Sequence, residues 1–295
     1  MKFRALLRLA RIPNVFTAFA NVLAGVSLAR AGVFTRDDFA LAGASGALYT
    51  AGMIWNDYYD RFVDAQERPD RPIPSGEISP PAAAAIGGVL LAFGLALAAW
   101  HGGWALIVAF LLAATILLYD AWLKITWFGP IAMGLCRTLN VALGLCASLR
   151  FEVWLWLLPL LLGVFTVLIT QLSRFEVAGT VPERLNWTVS GLGSLGLAVL
   201  PALIWVAIET RTPALSLCVA LAAYGFLLWR GQRLFAPLRR EVSPPLLGRA
   251  IGGGILLMPA LDAAFIAASG SPLLAAAAFA LAGPAYLLKR WYYLT

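Results

Sequence analysis

The chain is divided by a series of apolar stretches of about twenty residues, each long enough to cross the roughly 30 Å hydrocarbon layer of a bilayer as a helix. They fall at 13–29, 39–56, 81–100, 104–119, 128–148, 153–171, 187–208, 213–229, 250–268 and 272–288. A backbone in lipid must satisfy its own N–H and C=O groups, so the series reads as an all-α, polytopic transmembrane helical bundle. With 61% hydrophobic and 13% charged residues, the 295-residue chain has too few charges to cover a water-soluble surface. No stretch is polar enough for a soluble domain, and 1–295 reads as a single membrane domain.

Orientation follows from the loops. With the N-terminus in the cytoplasm, seventeen of the 22 Lys and Arg fall on the cytoplasmic side, Arg30, Arg36, Arg150 and Arg211 fall outside, and Arg137 lies within a span. The net charge of +7 is therefore mostly a topology signal, and the basic N-terminal segment and the Arg-rich stretch 230–249 also favour anionic membrane lipid. A nucleic-acid role has no support. Residues 1–11 resemble the positive region of a signal peptide, but the apolar stretch that follows is short and holds Pro13 and Asn14, so no cleavage is expected. Cys136, Cys146 and Cys218 have no metal-ligand spacing and the one histidine, His101, sits in a tight outer loop, which argues against histidine or thiolate chemistry.

Six of the fifteen acidic residues lie in one connection: Asp57, Asp60, Asp64, Glu67, Asp70 and Glu77. A solvated loop is the ordinary reading of such a run. The spacing argues otherwise, because Asp57, Asp60 and Asp64 recur at i, i+3 and i+7 and so fall within about 60° of one another on a helix. If the second helix runs on past the membrane edge, they and Asn56 form a stripe of hard oxygen donors, the chemistry that selects Mg²⁺ together with phosphate. Arg68 and Arg71, set among Pro69, Pro72 and Pro74, supply forked donors, and the loop reads as built to close over a diphosphate. A second group comprises Tyr119, Asp120 and Lys124, followed by Arg137 and Asn140 in the fifth span. An arginine inside hydrocarbon costs about 2.5 kcal/mol or more and faces the bundle interior. Bonding to backbone or to a core carboxylate is the plain structural alternative for Arg137, and Asn140 can equally join helices. Nearly all other charges lie at the cytoplasmic ends of the spans. A third cytoplasmic loop carries Gln171, Ser173, Arg174, Glu176, Glu183 and Arg184.

These motifs resemble those of the UbiA superfamily of intramembrane prenyltransferases: NDxxDxxxD at Asn56, Asp57, Asp60 and Asp64, RPxxxG from Arg71 to Gly76, YxxxxK at Tyr119 and Lys124, and Arg137 in the fifth helix. The likeness runs along nearly the whole chain. Ile78 to Pro80, SRFEVAG at 173–179 and the terminal YLT are most similar to the EboC-like branch of bacterial secondary-metabolite clusters. The resemblance implies nine helices where hydropathy gives ten, and an active site on the cytoplasmic side of the bacterial inner membrane. It implies Mg²⁺-dependent transfer of a prenyl group from an isoprenyl diphosphate to a small-molecule acceptor. In that reaction Asp57, Asp60 and Asp64 hold the metal with Asn56 assisting, while Lys124, Arg68, Arg71, Arg137 and Arg174 neutralise the diphosphate. Tyr119 stabilises the allylic cation, and Asn140 and Glu176 belong to the substrate site.

The chain departs from the family where a second aspartate-rich motif is expected after the sixth helix, because Gln171, Ser173 and Arg174 stand there and only Glu176 remains. The departure implies one metal with Arg174 as a fixed positive charge in place of the second, or a catalytically inactive relative that binds prenyl diphosphate. A lipid transporter or flippase is the alternative from another class. Its usual need for ionisable groups or broken helices near the membrane midplane counts against it here.

Overall fold

The computed structural model describes residues 3–148, 152–178, 182–281 and 283, and among them every regular element is helical. The chain opens with a short helix, α1 (Phe3–Leu9), followed by α2 (Ile12–Arg30), α3 (Asp38–Glu67), α4 (Pro80–His101), α5 (Gly103–Ala121) and α6 (Gly129–Leu145). Then come α7 (Leu157–Ala178), α8 (Pro182–Glu209), α9 (Ala214–Phe235), α10 (Pro244–Ile255), α11 (Met258–Ala268) and α12 (Pro272–Ala280). Proline stands in the first helical turn of α4, α6, α10, α11 and α12, where its missing N–H has no intrahelical partner to lose.

Among the described residues, six segments are long and apolar enough to cross a membrane: Pro80–His101, Gly103–Ala121, Val153–Phe175, Arg184–Glu209, Ala214–Arg239 and Pro244–Ala268. Shorter apolar helices run over Val15–Arg30 and Gly129–Leu145. α3 has the length, at 30 residues, but trades apolar character for polar and acidic side chains. The molecule is an integral membrane protein, with Val89, Phe93, Phe110, Leu111 and Leu197 among the apolar side chains exposed on its flanks.

Each apolar stretch read from the sequence meets a helix, although the tenth is met by the short α12 and positions beyond 283 lie outside the described residues. The sequence leaves open whether the second helix continues past its apolar run, and α3 does so without a break as far as Glu67. The stretch 250–268 is not one helix. Pro259 has no N–H for the Ile255 carbonyl and Gly252 to Gly254 weaken the preceding turn, so α10 ends and α11 begins across Leu256 and Leu257. Every residue of α11 is buried, and the helix packs against α2, α8, α9 and α12.

α2 and α6 cross closely because glycine faces glycine. A Cβ on Gly144 would stand 3.0 Å from the Gly25 Cα and inside van der Waals contact of the Val22 carbonyl. Such small-residue crossings replace the hydrophobic driving force that lipid does not supply. The crossing also sets the polar register, since Asn140 Nδ2 donates to the Ala18 carbonyl at 3.1 Å and its Oδ1 accepts from Ser45 Oγ at 2.6 Å. Replacing Gly144 with leucine should therefore lower the thermal midpoint in detergent, by a loss of about 1–3 kcal/mol from overpacking. Leucine at Gly88, where no atom lies within 4 Å of an added Cβ, is the control expected to leave the midpoint within about 0.5 kcal/mol.

Candidate active site

Helices α3, α5, α7 and α9 end, and α4, α6, α8 and α10 begin, at the same end of the bundle. That end gathers the acidic stripe and the loops around it. On α3, Asp57 and Asp64 are buried and Asp60 is partly exposed. Each carboxylate is met by a cation of the chain itself. Arg71 donates from Nη1 to Asp64 Oδ2 at 2.6 Å and to Asp57 Oδ1 at 3.3 Å. Lys124 Nζ donates to Asp60 Oδ1. Arg11 Nη2 donates to Asp57 Oδ1 at 2.7 Å and lies 3.5 Å from Asn56 Oδ1. Asn56 turns its amide nitrogen the other way, to Asp120 Oδ1 at 3.1 Å.

Local structure explains how these side chains arrive. The loop after α3 folds back on itself, with the Ile78 N–H on the Pro72 carbonyl, and buries Ile73 and Ile78 against Ala5, Leu9, Ile54 and Ala83. Arg8 on α1 pins the same loop through an ion pair with Glu77 and a 3.3 Å bond to the Asp70 carbonyl. Arg11 has φ 44° and ψ 49°, a left-handed conformation that costs a non-glycine residue on the order of 1–3 kcal/mol. Its bond to a buried carboxylate compensates for that strain.

Below the stripe lies a cavity of about 70 Å³ between α3, α5 and α6, with Met53, Tyr119, Asp120, Cys136, Arg137 and Asn140 in its wall. Arg137 is anchored at depth: its Nη1 donates to Asn21 Oδ1 at 2.6 Å, and Asn21 Nδ2 donates to Asp262 Oδ2 at 2.7 Å. Asp262, on the buried α11, is 0% exposed, and its Oδ1 has no partner among the described residues. Beside Arg137, Asp262 is a second charged residue type within the apolar spans. A lone carboxylate in the apolar run from Gly252 to Ala268 was the available signal. The chain that joins the two charges ties α6 to α2 and α2 to α11.

Of the residues singled out from the sequence, Asn56, Asp57, Asp60, Asp64, Arg71 and Lys124 come together, with Tyr119, Arg137 and Asn140 around the cavity beneath. Arg68 is exposed and has no side-chain partner among the described residues. Arg174 Nη2 donates to the carbonyls of Lys124 (2.9 Å) and Thr126, so it braces the loop that delivers Lys124. The Glu176 and Glu183 side chains lie outside the described residues. Arg11, Asn21 and Asp262 were not anticipated.

The donors on α3 are carboxylate oxygens, which suit a hard divalent cation. They are parted onto Arg71 and Lys124, and among the described residues no three His, Cys, Asp or Glu side chains are gathered as a metal site. A cation binding here has to take the place of side-chain cations.

An apolar bundle whose acidic helix meets three basic segments at the mouth of an internal cavity defines an intramembrane helical scaffold with its polar cluster at one end. The chain belongs to the UbiA prenyltransferase family, whose pattern matches residues 18–178. It is 32% identical over 204 residues to a digeranylgeranylglyceryl phosphate synthase of Methanopyrus kandleri, covering 67% of this chain and 69% of that one. It is 30% identical over 180 residues to the enzyme of the same name from Saccharolobus solfataricus, covering 59% of this chain and 63%, under two thirds, of that protein. The fold is that of a UbiA homolog from Archaeoglobus fulgidus bound to GPP and Mg²⁺, with a TM-score of 0.63 at 16% identity over 94% of this chain and 99% of that one.

The Arg137, Asn21, Asp262 chain yields a stability prediction. Asn21→Ala and Asp262→Ala should each lower the thermal midpoint, and the double variant should lose less than the sum of the two. The expected coupling is about 1 kcal/mol, the scale of interhelical hydrogen bonds in lipid; strictly additive losses would show that the two side chains act independently.

Proposed function

We propose that this protein transfers a prenyl group from an isoprenyl diphosphate to a small-molecule acceptor, with Mg²⁺, at the cytoplasmic face of a bacterial inner membrane. The observation that carries the reading is the α3 stripe of Asp57, Asp60 and Asp64, neutralised by exchangeable side-chain cations above an apolar cavity. Mg²⁺, when bound, supplies positive charge to the diphosphate as it leaves.

The chain's own residues do the rest. Asp57, Asp60 and Asp64, with Asn56, are the metal-holding group. Arg71 and Lys124, now the counter-ions of the stripe, are the donors within reach of a diphosphate, and Arg68 adds a free guanidinium at the rim. Charge-assisted bonds of this kind strengthen as negative charge builds on the leaving oxygen. Arg174 serves by holding the Lys124 loop through its carbonyls. Tyr119 offers a ring face to the allylic cation, and Met53, Leu112 and Ile116 keep water from quenching it. Arg137 extends positive charge into the cavity wall, with Asn21 and Asp262 fixing its position and Asn140 holding the wall itself.

Two experiments test this. Purified protein in lipid with Mg²⁺ and a panel of prenyl diphosphates should release diphosphate when a suitable acceptor is present. Asp60→Asn and Asp64→Asn should each weaken Mg²⁺-dependent binding of a non-hydrolysable prenyl diphosphate analogue at least tenfold while the protein stays folded, with the larger fall in thermal midpoint for Asp64→Asn, whose carboxylate is the buried partner of Arg71. Unchanged affinity in both variants would sink the assignment, and binding without turnover across all acceptors would identify a non-catalytic relative. Orientation is tested separately: a cysteine from Gln66→Cys should react with impermeant reagent only from the cytoplasm, and one from Val33→Cys only from outside.

A further inference from the structure

A cavity of about 470 Å³ lies between α7, α8, α9 and α11 and shares no residue with the acidic site. That volume falls in the range of small-molecule sites. Its walls are apolar, with Phe165, Val199, Leu227, Leu228 and Leu261 along its depth. From Val189 to Val199 it follows α8 for ten residues, about 15 Å along the helix. Leu197, Leu221, Phe226 and Trp229 are exposed on the same two helices, so the cavity opens toward acyl chains rather than water.

A charged side chain stands at one end, while the Ser194 and Tyr224 hydroxyl groups lie further along the wall. Ser190 near the start of α8, and Gln232 and Arg239 at the end of α9 and just beyond, line the cavity at the same end of the bundle as the acidic stripe. Arg239 has no ion pair or hydrogen bond with any described residue. The surrounding stretch is strongly basic: Arg230, Arg233, Arg240 and Arg249 accompany Arg239, against the single acid Glu241. Arg233 rests on the Trp229 ring at 4.6 Å, and an aromatic with a cation at this level is an interfacial arrangement. Among the described residues no Asp or Glu lines the cavity.

We infer that this groove is a binding site for an anionic phospholipid of the surrounding bilayer, one acyl chain lying between α8 and α9 and the phosphate on Arg239. The apolar depth takes the chain, and the unpaired guanidinium recognises the phosphate in a forked geometry. The described lining offers one cation and a long apolar wall, which suits a lipid phosphate with its acyl chain. Glycine keeps the groove open: a Cβ on Gly193 would have the Arg239 Nη2 as its nearest neighbour at 3.9 Å, and one on Gly231 would meet nothing within 4 Å.

The test uses the whole chain reconstituted in vesicles containing either phosphatidylglycerol or phosphatidylcholine with a photoactivatable acyl chain. Phosphatidylglycerol should label peptides from 189–199 and 224–239, with phosphatidylcholine labelling them far less. Arg239→Gln should reduce that labelling about fivefold, the effect of one basic residue at an anionic surface. Gly193→Trp should abolish it, and Gly231→Leu should do the same by filling the groove from the α9 side. Binding of a prenyl diphosphate analogue should stay unchanged in all three, which separates this site from the proposed catalytic one. Equal labelling by the two lipids, persistent labelling in both filled variants, or labelling of these peptides by a photoactivatable prenyl diphosphate instead would overturn the proposal.

Discussion

Three carboxylates on one face of a helix, at the mouth of an apolar bundle, repel one another and lose hydration as they are buried. The chain answers with cations from three separate segments: Arg11 between α1 and α2, Arg71 after α3, and Lys124 after α5. Removing one partner of a buried pair strands the other charge at a cost of about 3–5 kcal/mol, so the segments that carry Arg11 and Arg71 have to lie where the buried carboxylates are. The architecture of this end follows from that requirement. The loop after α3 curls under Arg8, α1 lies over it, and Arg174 reaches across to brace the Lys124 loop.

The sequence made the bundle legible because its signal is one of length and composition, and the lipid environment allows a helix little choice. The stripe was legible for a related reason: a period of 3.6 places Asp57, Asp60 and Asp64 on one face whatever surrounds them. What could not be read were partners fixed by tertiary structure. Arg11 lies 46 residues from Asp57 and belongs to a basic segment already accounted for by topology. Arg174 bonds two backbone carbonyls, acceptors that every residue carries and no sequence pattern marks. The break between α10 and α11 was in principle visible at Pro259, but a continuous apolar run concealed it.

The end of α7, where the resemblance leads one to expect a second aspartate-rich motif, has a physical role of its own. With Arg174 committed to the carbonyls of Lys124 and Thr126, that segment acts by holding a neighbouring loop in place.

The bond between Asn21 and Asp262 joins residues 241 positions apart. At about 5–20 residues per second, synthesis leaves an interval on the order of tens of seconds between the emergence of one and of the other. Until Asp262 is made, the Asn21 amide nitrogen on α2 lacks its final acceptor, and Arg137, made 116 residues after Asn21, lacks the carboxylate at the far end of the same chain of bonds. Nascent chains that stall or terminate before α11 thus hold an arginine and an amide within the bundle without the carboxylate that completes the chain of bonds.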